Sequence, residues 1–201
     1  MNRKIGMFAA GVNLLAVLGF AASMLLGFDF GSYFCSIFIA LSFVLMMCCF
    51  LQLAPPERKA AGYAAAAFAA AYAAIILLVY FTQLTTVRFG GLTEQARVLL
   101  DFQQMGLLFN FDLLGYALMA LATFFAGLTI CPGSRCARWL RGLLLGHGVF
   151  FVSCLLLPML GLFQADSPAW IGIAVLEFWC AYFCPVALLS LAYFRGQTEK
   201  I

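Results

Sequence analysis

Charge is scarce in this sequence. Of its 201 residues only 9% are Asp, Glu, Lys or Arg, where soluble domains carry about 25%. With 66% hydrophobic residues and a mean hydropathy of +1.06, the chain cannot cover a water-facing surface, which excludes a soluble globular fold. The same apolar and aromatic content excludes disorder. Histidine is almost absent: a single His147 cannot supply the paired axial ligands of a bis-histidine haem. No lysine lies inside an apolar run, which argues against a retinal Schiff base. Neither H-E-x-x-H, a Walker loop nor a G-x-S-x-G elbow occurs. C-x-x-C is missing as well, which removes the usual membrane thiol oxidoreductase. These absences predict no cofactor and no metal, and they favour a protein that is not an enzyme.

Long apolar runs are what the sequence does have. Six of them, residues 5–27, 32–53, 61–83, 105–130, 142–163 and 169–194, reach the roughly 20 residues that cross about 30 Å of hydrocarbon as a helix. Backbone groups in lipid must bond within their own segment, and the short alternating stretches of a β-barrel are missing. The expected fold is an all-α integral membrane protein, one six-span domain over residues 1–201 built of antiparallel hairpins. Although Arg3 and Lys4 precede the first run, it exceeds a signal-peptide core in length and reads as a retained helix.

Orientation follows from the basic residues of the short loops. Of 11 Lys and Arg, all but Arg88 and Arg97 fall on one side of this topology, which predicts both termini in the cytoplasm of a cell membrane. Acidic residues show the opposite skew: only Glu57 and Glu199 lie on the inner side, with Asp29, Glu94, Asp101, Asp112, Asp166 and Glu177 in the outer half. The inner arginines thus have a membrane explanation, and no basic domain is left for nucleic acid. None of the eight cysteines falls in an outer loop, so no exposed disulfide framework is available. Cys48, Cys49, Cys131 and Cys136 gather on the inner side but lack the paired C-x-x-C knuckles of a structural zinc site.

Punctuation along the chain is consistent with this layout. A tight turn is expected at Gly27-Phe28-Asp29 and a helix break at Ala54-Pro55-Pro56. The stretch 84–104 is the only long connection. In it Thr93 reads as an N-cap with Glu94 in the first turn, predicting a short outer interfacial helix between the third and fourth spans. The third span carries Ala61, Ala65, Ala69 and Ala73 on one stripe; small residues at this spacing let helices approach closely, within the chain or across a seam with a membrane-protein partner or second copy. Val17-Leu18-Gly19-Phe20-Ala21 echoes Leu113-Leu114-Gly115-Tyr116-Ala117, which permits an inverted repeat.

Ionisable groups inside a bilayer are costly and mark function by default. Asp112 and Glu177 lie at similar depth, about 10–12 Å from the outer side at 1.5 Å per residue. Asp112, Gly115, Tyr116, Met119 and Thr123 share one helical face, and Glu177, Cys180 and Cys184 another. His147, flanked by Gly146 and Gly148, enters from the inner side, and Asn13 has comparable depth in the first span. The candidate ligand-binding set is therefore Glu177, Asp112, His147, Tyr116 and Asn13, with a cation, an amine or a proton-coupled solute as the expected ligand among spans four, five and six. Each of the ionisable residues also has a structural reading, as a neutral or surface-reaching hydrogen bonder. An accessory or scaffold subunit is the alternative function, and an enzyme acting on a lipid the third. In size, span number and inward termini the chain is similar to the small substrate-binding subunits of energy-coupling-factor vitamin transporters. That resemblance is one of architecture and implies solute binding; the alanine-spaced coupling motif of their first helix is not evident, and the first outer loop is very short.

Overall fold

A computed structural model describes residues 2–162 and 169–197. Every element among them is helical: α1 (Asn2–Leu25), α2 (Asp29–Leu53), α3 (Lys59–Thr82), α4 (Glu94–Leu100), α5 (Leu107–Thr129), α6 (Arg135–His147), α7 (Val149–Met159) and α8 (Ala169–Gly196). Six stretches of helix, with α6 and α7 counted as one, are long and apolar enough to cross a membrane. Asp166 and Glu199 lie outside the described residues, as does Lys200.

Local chemistry explains the boundaries. Gly27 closes α1 at φ 64°, a left-handed position that needs no Cβ, and the amide of Phe28 returns to Ser23 O at 2.8 Å. Ala54 is extended ahead of Pro55, as a residue before proline must be, and stops α2. Ser134 caps α6 by accepting from Ala137 N at 3.1 Å, and Thr93 caps α4 by accepting from Ala96 N at 3.3 Å. The fifth span differs from its expected 142–163. It starts at Arg135, where the Ser134 cap begins the helix ahead of the apolar run, and it is divided at Gly148 into α6 and α7. Hydropathy locates the apolar stretch, but a cap decides where the helix starts. The third span continues past 83 through a π turn, Gln83–Val87, and the fourth begins at Leu107 after a 3-10 turn, Phe102–Gln104.

Packing resolves the helix order. α1 packs on α2, α2 on α3, α3 on α5, α5 on α6 and α7, α6 on α8, and α8 returns to α1. The spans thus close a ring in chain order, and α2 touches α5 across it. Ala65, Ala69 and Ala73 are buried where α3 meets α2 and α5, so the alanine stripe is taken up inside this chain, with Ala61 half-buried at its end. The Gly62 Cα approaches α2 so closely that a Cβ would sit 3.0 Å from Leu51 Cα. One end of the ring gathers Asn2, Pro55, Ser134 and Gly196; at the other, Gln103 Nε2 donates to Asp29 Oδ2 at 2.7 Å. The outer surface is apolar, with Phe8, Leu15, Val149 and Trp170 all well exposed.

Candidate functional site

A cavity of about 460 Å³ lies inside the ring, toward the end that carries the Gly27 turn. Asp112 and Tyr116 reach it from α5 and His147 from the end of α6. Phe20 comes from α1, Tyr33 from α2, Tyr80 from α3 and Trp179 from α8. The site is therefore walled by all six spans rather than by the last three alone.

Among the described residues Asp112 is the one carboxylate deep in this cavity, with Asp29 exposed at its rim. Asp112 is 3% exposed, and its Oδ1 has no hydrogen-bond partner. Tyr80 sits beside the carboxyl from α3. The hydroxyls of Tyr72 and Tyr116 are likewise buried without partners, and the two rings lie 5.9 Å apart. A buried polar atom left unpaired costs about 1–3 kcal/mol, so three of them meeting at one place mark a locus that chain packing alone does not satisfy. The α5 face read from the sequence is turned inward as a unit: Asp112, Gly115, Tyr116, Met119 and Thr123 are all buried. Gly115 admits α3, since a Cβ there would stand 2.9 Å from Ile76 Cδ1.

His147 has a different character. Trp179 Nε1 donates to its Nε2 at 3.1 Å, and its Nδ1 lies 2.8 Å from Thr123 Oγ1. An indole N–H only donates, so Nε2 must accept and the ring proton sits on Nδ1. Nδ1–H then donates to Thr123 Oγ1, whose hydroxyl donates to Ala120 O at 2.8 Å. Both ring nitrogens are used, and the imidazole works as a neutral link that fixes the Trp179 ring. That ring stacks on Phe183 at 5.0 Å and meets Tyr116 edge-on at 5.4 Å.

Glu177 and Asn13 do not join this group. Two residues along α8 turn about 200°, so with Trp179 facing the cavity Glu177 points elsewhere, half-buried on the face of Cys180 and Cys184 with its Oε1 unpartnered. Asn13 is fully buried in the α1–α2 seam, where Nδ2 donates to Ile39 O at 3.1 Å and to Ser42 Oγ at 2.9 Å. Tyr33, Tyr72, Tyr80 and Trp179 escaped the sequence reading. A signal existed for two of them: Tyr72 and Tyr80 lie eight positions apart with Ile76 between, on one face of α3.

One rim of the cavity is built by aromatic packing over a backbone clamp. Buried Gln83 donates from Nε2 to Leu100 O at 2.8 Å and accepts from Phe102 N at 3.0 Å. Phe102 is thereby held against Tyr33, Tyr80 and Phe109, with ring centroids 5.2–6.0 Å apart. Among the described residues no three His, Cys, Asp or Glu side chains gather as metal ligands. No protein-family model, curated protein or solved structure matches the chain.

Proposed function

We propose that this protein is a six-span protein of a cell membrane that binds, and moves or presents, a small solute in the Asp112 cavity. The carrying observation is the buried carboxylate whose Oδ1 lacks a partner while facing a cavity of ligand size. A cation, an amine or a proton-coupled solute suits that group. The apolar exterior and the six long helices support the membrane setting, with successive spans as antiparallel hairpins and both termini cytoplasmic by the bias of the basic loops. In this setting α4, which buries no residue and exposes Val98 and Leu99, lies in the outer interface, and the cavity opens toward the outer side.

Thermal unfolding of the purified chain against a panel of cationic, neutral and anionic solutes tests the reading. A ligand selective for the folded state raises the midpoint. That shift should vanish in Asp112→Asn, which preserves side-chain shape, and persist in Glu177→Gln. A hit that survives Asp112→Asn unchanged would remove Asp112 from the site.

A further inference from the structure

We infer that the solute is an organic monoammonium compound with an apolar, preferably aromatic, body, and that it carries at least one N–H. This rests on the solute-binding reading above and names the class of ligand for the same cavity.

Three features of the cavity select it. The first is charge. Among the described residues Asp112 is the single deep carboxylate, Asp29 lies exposed at the rim bonded to Gln103, no Lys or Arg lines the cavity, and His147 has both nitrogens engaged. One negative group without a counter-ion calls for one positive charge. Surrounding it are the rings of Tyr33, Tyr80, Phe102, Tyr116 and Trp179, whose π faces attract a cation in a site shielded from water.

The second is hydrogen bonding. Asp112 Oδ1 and the Tyr116 hydroxyl oxygen, on two residues that line the cavity, are buried and unpartnered. The carboxylate oxygen only accepts, and the phenol oxygen accepts as well as donates. A primary or secondary ammonium donates to them, whereas a quaternary ammonium has nothing to donate. The third is the remaining wall. Asp29, Ser32 and Gln103 bond among themselves, and Phe20, Met24, Phe109, Leu113, Ile173 and Leu176 offer no polar side chain, so the rest of the ligand is apolar. A bare metal ion is disfavoured by the same lining: hard cations take several oxygen ligands, and among the described residues no three His, Cys, Asp or Glu side chains gather there.

The test uses the full chain in detergent. Phenethylamine and octylamine are compared with phenethyl alcohol, phenethyl trimethylammonium, phenylacetate, sodium and magnesium. Binding is read by calorimetry and by Trp179 fluorescence, with Trp139→Phe and Trp170→Phe removing the two exposed indoles. Phenethylamine should bind at least about tenfold more tightly than the alcohol, a difference of about 1.4 kcal/mol. Asp112→Asn should lose about tenfold or more for the amine and little for the alcohol. Tyr116→Phe deletes only a hydroxyl and should weaken the primary amine by about threefold to tenfold while sparing the trimethylammonium analogue. Unchanged melting curves of the unliganded variants establish that each is folded. If the alcohol, phenylacetate or an inorganic ion binds in this cavity as well as the amines do, the ligand class is wrong and the solute-binding reading stands. Amine binding that Asp112→Asn leaves unchanged overturns the assignment to this cavity. If no compound of the panel binds, both readings fall.

Discussion

At the residue scale the chain contains two kinds of buried polar group, and they do different work. His147 has both ring nitrogens engaged and Asn13 ties α1 to α2 through Nδ2, while Asp112, Tyr72 and Tyr116 keep oxygen atoms unpartnered beside one another, as Asn13 keeps its Oδ1 in the α1–α2 seam. The His147 link can be tested by an isosteric change. Thr123→Val removes the acceptor of Nδ1–H with almost no change of shape, and should cost about 1–3 kcal/mol in unfolding free energy because a buried N–H is stranded. The double variant Thr123→Val with His147→Phe should be less destabilised than the sum of the singles, since both act on one bond. Strict additivity would show that the two side chains are not coupled. Nitrogen chemical shifts of His147 should report a proton on Nδ1 and an accepting Nε2.

Elements inherit their positions from a few such contacts. The segment over the cavity is tied down by Gln83, whose single side chain bonds the backbone on both sides of Asp101. Gln83→Leu keeps the bulk and loses both bonds. It should lower stability by about 1–3 kcal/mol and speed amide exchange at Phe102 while leaving α1 and α2 unaffected; unaltered exchange there would refute the clamp. Helix α5 begins just after Gly106, whose backbone passes against the carbonyl of Val98 and leaves no room for a Cβ. The five-residue echo gains meaning at this scale. Phe20 and Tyr116 occupy matching places and both line the cavity, and Gly19 and Gly115 each admit a neighbouring helix, at Cys35 and Ile76.

For the whole molecule the decisive quantity is the asymmetry between the two ends of the ring. Arg3, Arg58, Lys59 and Arg135 share the end of Asn2 and Ser134, where Arg58 donates to Ile130 O at 2.9 Å. Cys131 is exposed at that end, and Gln95 is exposed on α4. A membrane-impermeant maleimide added to intact cells should therefore spare Cys131 and label a Gln95→Cys variant. Inside-out vesicles should reverse the pattern. Rapid labelling of Cys131 from outside would invert the topology and turn the cavity toward the cytoplasm.

Span number, the early turn at Gly27 and the caps at Thr93 and Ser134 were legible in the sequence, because each depends on a local rule: hydrophobic length, a left-handed position, a side-chain oxygen next to free amides. The inward face of α5 was legible too, because helical periodicity puts Asp112, Tyr116 and Thr123 on one side. Three things were decided only by tertiary packing. The helical rotation of α8 chose Trp179 over Glu177 for the cavity, and a lone carboxylate in an otherwise apolar stretch does not reveal which face turns inward. Burial between α2 and α5 made the alanine stripe an internal contact. Closure of the six spans into a ring brought Tyr72 and Tyr80 to the carboxylate of Asp112, residues 32 or more positions away along the chain. A uniformly apolar helix looks the same to lipid as to protein, so its partners are set by fit between side chains that the sequence leaves far apart.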